Sequence, residues 1–102
     1  MLASASSYNA AITLMVGAAI GYADALTGKL RGVVNHQDHA AAPRLLRETL
    51  GNALPERHAK FFRRLLGRKD EVNYGARSTT LAEADRILGE LNEFAAWAEG
   101  RL

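Results

Sequence analysis

The stretch GRKDEVNYGARSTTLAEADRILGELNEFAAW, which runs from Gly67 to Trp97, carries the strongest structural signals in this chain of 102 residues. Its pattern is that of one helix ending, a short turn, and a long amphipathic helix beginning. Thr80 and Glu83 have the spacing of a capping box, which marks the start of the second of these helices. Apolar residues then recur every three or four positions, so one face of this helix is expected to be buried. That face comprises Leu81, Ala84, Leu88, Leu91, Ala95, Ala98 and Leu102, with Ile87 and Phe94 beside it.

A face of this length needs other helices to cover it, because a lone helix cannot bury it. Alanine and leucine dominate the composition and β-branched residues are sparse, which also favours helix. We therefore predict an all-α protein, an up-and-down four-helix bundle, with residues 1–102 as a single domain. The chain has no cysteine, which excludes disulfides and thiolate metal sites.

The most apolar run of the chain extends over 14 residues, from Ala10 to Ala23, and Asp24 ends it. Crossing a bilayer takes about 20 residues, so a buried core helix is the better interpretation. The nine residues before the run contain no lysine or arginine, so they lack the positive segment of a signal peptide. We expect a soluble, cytoplasmic protein with no membrane contact and no cofactor.

The first helix is predicted from Ser7 to Leu30. Gly17 and Gly21 lie on a stripe of small residues along it, which suggests that another helix passes close by, either within the subunit or across a dimer. Asp24 lies on the same side, and Arg68 or Lys69 would be its natural partner in a structural ion pair. The bulky line of this helix comprises Tyr8, Ile12, Met15, Ala19, Ala23, Leu26 and Leu30.

Two shorter helices are predicted in the middle of the chain. Asp38 is a plausible N-cap for a helix that ends at Gly51 and has Pro43 early in it. The next helix starts near Pro55, and Gly75 is its expected C-terminal cap. The apolar side of this third helix comprises Phe61, Phe62, Leu65, Leu66 and Val72.

The net charge is only +2, but the charges are unevenly distributed. Between Arg44 and Arg77 there are nine basic and four acidic residues, whereas from Thr80 onward there are five acidic and two basic ones. The simpler interpretation is two solvated helix faces of opposite sign, which attract each other across a dimer. The alternative is an anionic partner on the middle segment.

The residues from Lys69 to Tyr74 carry a family resemblance. Many members of the HEPN family have, near the end of their third helix, an arginine, two residues, a small apolar residue, an acid and a tyrosine. Lys69 stands where that arginine lies, Val72 on the small residue, Asn73 on the acid, and Tyr74 on the tyrosine. The chain resembles this family at three further places, which are Tyr8-Asn9-Ala10-Ala11, Asp38-His39 and Thr79-Thr80-Leu81-Ala82-Glu83-Ala84.

Ribonuclease members of this family use an arginine followed by four to six residues and a histidine, which meet their symmetry mates in a dimer cleft and need no metal. In this chain the fifth residue after Arg68 is Asn73. Asparagine cannot take a proton near neutral pH. The resemblance therefore implies a non-catalytic module that binds RNA or a nucleotide as a homodimer, within a toxin–antitoxin pair or a defence system. The predicted binding residues are Arg64, Arg68, Lys69, Asn73 and Tyr74.

Several alternatives stay open. Lys69, Asn73 and Tyr74 equally suit a hydrogen-bond cluster that fixes the helix end. A ribonuclease would need His36 or His39 to converge with the basic residues. Arg31 to His36 has the nuclease spacing, but it lies in a loop, where so short a pattern arises by chance. His36, Asp38 and His39, with His58 further on, could bind zinc if they converged, but a helix cap by Asp38 beside a loop histidine is the preferred interpretation, so no metal site is predicted. The third class is a purely structural homo-oligomer, which would bury the glycine stripe.

Overall fold

The computed structural model describes residues 5–31, 41–73 and 79–102 of the chain. Within these ranges the chain is helical and contains no strand. The prediction of an all-α protein with four helices is therefore confirmed for the described part. The elements are α1 (Ala5–Arg31), α2 (Ala42–Leu50), a short 3-10 turn (Gly51–Ala53), α3 (Glu56–Asn73) and α4 (Leu81–Arg101).

Helix α1 is the centre of the core, because it packs against each of the other three helices. Its predicted bulky line faces inward, although Leu30, at the helix end, is half exposed. Thr27 is also buried, and its hydroxyl donates to the carbonyl oxygen of Ala23 at 3.2 Å, so the polar group is satisfied. The fully or nearly fully buried residues of α1 are Ile12, Met15, Val16, Ala19, Ile20, Ala23, Leu26 and Thr27.

In the connection from α2 to α3, the helix boundaries fall where the sequence predicts them. Pro43 lies in the first turn of α2, and Gly51 ends the helix with a φ of 55°, a conformation that favours glycine. The carbonyl oxygen of Pro55 accepts from the first amides of α3, which confirms that start. The N-cap of α2 is Ala41, which gives no side-chain hydrogen bond. Asp38 and Gly75, the other predicted caps, lie outside the described residues.

One arginine holds this connection together. Arg47 donates from its Nη1 to the carbonyl oxygens of Gly51 and Leu54, at 2.9 and 3.3 Å. Its Nη2 lies 2.8 Å from Oε1 of Glu56, in the first turn of α3. The guanidinium therefore binds two backbone carbonyls of the connection and ties α2 to α3.

Helix α4 starts where the capping box predicts. Oγ1 of Thr80 accepts from the backbone amide of Glu83 at 3.1 Å. The centre of the buried face, however, differs from the predicted line. Ile87 and Phe94, which we expected at its edge, are buried, whereas Leu88 is 43% exposed. The predicted line is wrong at three residues that the structure exposes, which are Leu81, Leu88 and Leu102.

Phe94 accounts for this difference between the predicted and the observed buried face of α4. Its ring lies 5.8 to 6.0 Å from the rings of Phe61, Phe62 and His58 on α3, and 6.5 Å from that of Tyr22 on α1. Aromatic rings bury the largest areas of any side chains, so the position of Phe94 determines which edge of α4 faces inward.

The contacts between helices give their relative directions. The pairs Arg68 with Glu83 and Arg64 with Glu90 show that α3 and α4 run in opposite directions. Helix α1 runs in the same direction as α4, since its early residue Asn9 bonds to Thr79 and its later residue Tyr22 bonds to Glu99. The first and last helices of a strictly up-and-down bundle are antiparallel. That order therefore does not describe the α1–α4 pair.

By length and composition alone, the segment Tyr8–Leu30 of α1 qualifies as a membrane span, and it is the one such helix among the described residues. Core helices of soluble proteins meet the same criterion. In this structure 39% of its most apolar window is buried within the protein itself. The expectation that the chain avoids membranes stays a prediction.

Leu91→Ala and Leu88→Ala form a matched pair that tests which edge of α4 is buried. Leu91→Ala should lower the free energy of unfolding by about 2–5 kcal/mol, because it leaves a cavity in the core. Leu88→Ala should cost less than about 1 kcal/mol, since much of that side chain is already in water. Urea denaturation followed by circular dichroism measures both losses. Equal losses would contradict the packing around Phe94.

Candidate functional site

The outer side of α3 carries a basic face, which we define as Arg57, Lys60, Arg63 and Arg64. All four side chains are exposed, because their spacing of three and four residues places them opposite the buried Phe62 and Leu65. Glutamates partly neutralise the face. Arg63 lies 3.4 Å from Glu56, and Arg64 lies 2.7 Å from Glu90 on α4. Arg57 and Lys60 make no ion pair with any other described residue.

A groove separates α3 from α4 on one side of this face. Its volume is about 460 Å³, and Phe61, Leu65 and Ile87 contribute its apolar surface. Charged side chains of both signs line it, and each of its three glutamates forms an ion pair with Arg64 or Arg68. The charged residues of the groove are Arg64, Arg68, Arg86, Glu71, Glu83 and Glu90.

A second groove, of about 400 Å³, lies between α2 and α3. Pro43 and Leu66 are its apolar lining, and Arg44 and Arg63 are its cations. Gly67 lines both grooves, and a Cβ at this position would meet no other atom within 4 Å. In the second groove Arg44 and Arg63 exceed the single carboxylate of Asp70, whereas the α3–α4 groove balances three arginines against three glutamates, so the positive excess extends from the basic face towards α2.

Arg68 occupies a different position from its neighbours in sequence. It is 5% exposed, although α3 carries exposed arginines on its other side. Its Nε donates to Oε2 of Glu83 at 3.1 Å, and its Nη2 donates to Oγ1 of Thr79 at 2.7 Å and to Oε1 of Glu83 at 3.3 Å. Charge-assisted hydrogen bonds of this kind offset the cost of burying a guanidinium.

The network continues from Thr79 to α1. Both the hydroxyl and the backbone amide of Thr79 donate to Oδ1 of Asn9, the amide at 2.9 Å. The network therefore joins the early aromatic-alanine segment, the end of α3 and the entry to α4. The segments around Asn9 and Thr79 are two of the four places that carry the HEPN resemblance, and Arg68 directly precedes a third, Lys69 to Tyr74. Sequence reasoning missed this convergence, since nothing in the spacing links Asn9 to residues 59 or more positions away.

One atom of Arg68 remains unsatisfied. Its Nη1 is buried and has no hydrogen-bond partner among the described residues, and the nearest carboxylate oxygen, on Glu71, is 3.6 Å away. Arg68 was expected to pair with Asp24 or to contact a ligand from the surface. The structure buries it against Glu83 instead, and it reaches the α3–α4 groove only as part of the lining.

The remaining predicted site residues lie at the end of α3. Lys69 is partly exposed, and Asn73 is the last residue of the helix. Tyr74 lies outside the described residues, as do His36 and His39, so the convergence that a nuclease needs stays a prediction. Among the described residues there is no group of three or more histidines, aspartates or glutamates that would suit a metal ion.

Arg68→Met tests the network through stability. We expect it to lower the free energy of unfolding by about 3–5 kcal/mol, because it removes the buried cation that hydrogen-bonds to both Glu83 and Thr79. Arg64→Met breaks an exposed pair with Glu90 and serves as the control, with an expected loss below about 1 kcal/mol. Urea denaturation compares the two. A double variant, Arg68→Met with Glu83→Met, should be more stable than Arg68→Met alone; additive losses would refute the coupling.

The chain was compared with protein-family models, with curated proteins and with solved structures, and none of the three comparisons found a match. The HEPN relationship consequently rests on the quoted motifs and stays a prediction. Among the described residues, two of those motifs, at Asn9 and at Thr79 to Glu83, are joined by one hydrogen-bond network that includes Arg68.

Proposed function

We propose that this chain is a HEPN-like helical module that binds nucleic acid, or a nucleotide, through phosphate groups and does not cut it. The observation that carries the proposal is the basic face of α3, on which four long cationic side chains are exposed within eight residues. Two of them, Arg57 and Lys60, have no carboxylate partner among the described residues. Their positive charge is therefore available to an external anion.

The chemistry of the face favours contacts to the backbone of the nucleic acid over contacts to its bases. Phe61, the nearest aromatic residue of α3, is buried, so this face offers no exposed ring on which a base can stack. Phosphate contacts by lysine and arginine carry no sequence information. Binding should accordingly be weak, sensitive to salt and indifferent to sequence.

The absence of cleavage is proposed from the chemistry of the α3 end. Asn73 stands at the spacing from Arg68 where nuclease relatives of this type have a histidine, and an amide does not act as a base near neutral pH. Arg68 is itself bound to Glu83 and Thr79, so stabilising a transition state would require it to exchange partners. We also propose a cytoplasmic location and a protein partner of toxin–antitoxin type, which rest on the resemblance alone.

Lys60→Glu and Lys29→Glu test the basic face with the same change of charge. Both lysines are exposed, but Lys29 lies at the end of α1 and outside the basic face. If four cations contact phosphates of a single strand, log K should fall with log salt concentration with a slope of about −3. Lys60→Glu should weaken binding and flatten this slope by about 1, whereas Lys29→Glu should leave the slope unchanged. Fluorescence anisotropy of a labelled oligonucleotide measures both.

Equal effects of the two lysine variants would mean that only net charge matters, and the proposed face would be wrong. Incubation of RNA with the protein and a chelator tests the alternative of a metal-independent ribonuclease. Cleavage that disappears in His36→Ala or His39→Ala would replace the binding proposal with that alternative.

A homodimer through α1 is the second candidate, and one observation favours it. The outward side of α1 exposes Leu14, at 76%, beside the exposed Gly17 and Gly21. No charged residue occurs from Tyr8 to Ala23, although six of these sixteen residues are exposed. A Cβ at either glycine would meet nothing within 4 Å, so none of the described helices of the same subunit covers these two positions. A second copy with the same small residues would fit closely against it.

Gly21→Gln and Gly89→Gln test the dimer as a matched pair, since both glycines occupy exposed positions inside helices and have open space around them. Each change should raise monomer stability by up to about 1 kcal/mol, because glycine is a poor helix former. Only Gly21→Gln should shift the molar mass by light scattering from dimer to monomer, because its side chain blocks close approach. A wild-type protein that is monomeric at micromolar concentration would end this candidate.

A further inference from the structure

His58 is a buried titratable residue that the proposed nucleic-acid interface does not use. It lies in the first turn of α3 and is 2% exposed. The centroid of its ring is 5.3 Å from that of Trp97 and 5.8 Å from that of Phe94, both on α4. Its Nε2 is buried and has no hydrogen-bond partner among the described residues. The neutral ring thus fits an aromatic pocket that offers no acceptor for a second proton.

The charged and titratable groups around this pocket come from three helices. Arg57 is the neighbour on α3, and Glu93 lies on α4. Arg101 of α4 stacks over the outer side of Trp97, with its guanidinium carbon 5.7 Å from the ring centroid. On α1, the hydroxyl of Tyr22 donates to Glu99, and the Tyr22 ring meets Phe94 edge-on. Among the described residues around this pocket, the carboxylate of Glu93 acts on His58 in the direction opposite to Arg57.

These surroundings lower the pKa of His58 below its usual value of 6.5. Burial is the main cause, because it disfavours the charged imidazolium, and the positive charge of Arg57 acts in the same direction. Glu93 opposes both and raises the pKa, but it does not reverse the shift.

We propose that His58 is an acid-sensitive latch that holds the start of α3 against the last turns of α4. In the neutral form the ring fills the pocket formed by Phe94 and Trp97. A proton on Nε2 needs a hydrogen-bond acceptor, and the pocket has none, so the protonated ring must leave it for water. Departure of the ring removes two of the ring contacts that join α3 to α4 and opens this end of the bundle.

The direction of the pH effect follows from linkage. Because the folded state binds the proton less tightly than the unfolded chain, the stabilisation is complete above pH 6.5 and is lost as pH falls from there. Each pH unit below about 6.5 multiplies the equilibrium constant of unfolding by up to tenfold, until the folded pKa is reached. Below that value the loss levels off.

Urea denaturation of the full chain between pH 8 and pH 4.5 tests the latch, and Trp97, the single tryptophan, reports on the pocket directly. The midpoint should fall as pH drops below 6.5, with a red shift of the tryptophan emission. His58→Phe keeps an aromatic ring in the pocket and should lose this pH dependence. His36→Gln with His39→Gln removes the other two histidines and should retain it. A wild-type midpoint that is flat over this range, or an unchanged slope in His58→Phe, would overturn the proposal.

Two further variants test the direction in which the neighbouring charges shift the pKa of His58. Glu93→Gln removes the charge that favours the imidazolium, so the pH at which the loss of stability levels off should fall. Arg57→Gln removes a repelling cation, so that pH should rise. If His58→Phe does not fold, an NMR titration of the ring protons in the wild-type protein decides. A His58 pKa below 6.5 supports the latch, and a value of 6.5 or above refutes it.

Discussion

The buried guanidinium of Arg68 is the constraint on which the arrangement of the helices depends. A buried charge must have partners, and the hydrogen-bond partners of Arg68 come from the residues that lead into α4 and from its first turn. Glu83 supplies the opposite charge from the first turn of α4, and Thr79 passes the network on to Asn9 of α1. One side chain of α3 therefore fixes where α4 begins and how it meets α1. The hydrophobic core of α1 and Phe94 supplies stabilisation, but apolar contacts are not directional and would tolerate a shift along the helix axis.

The sequence predicts the helices well because their signals are local. The three-and-four spacing of apolar residues and the Thr80 cap predict α4, and Pro55 and Gly51 mark the boundary between α2 and α3. Local patterns fail where the outcome depends on residues that are distant in sequence. Leu88 and Ile87 are equally apolar, and only the rings of α3 that gather around Phe94 decide which of them is buried.

The candidate site likewise contains features that local patterns predict and features that depend on residues distant in sequence. Exposed arginines on α3 follow from helical spacing, and Arg64 is among them. Burial of Arg68 does not follow, because a single charged residue on a basic helix carries no sign of a partner that lies 15 positions away. The uneven distribution of charge along the chain is partly neutralised by ion pairs between neighbouring helices. The basic α3 and the acidic α4 meet within one subunit, through Arg64 with Glu90 and Arg68 with Glu83. This leaves the positive excess on the outer side of α3.

Gly67 has a practical consequence for labelling. It lies between the two grooves that flank α3, in open space, and the chain contains no cysteine. A single cysteine at this position would be the only thiol in the protein. A small fluorophore attached there would sense the environment of both grooves without interference from any other site. The surface next to the basic face is therefore accessible to a site-specific reporter that needs no prior removal of native thiols.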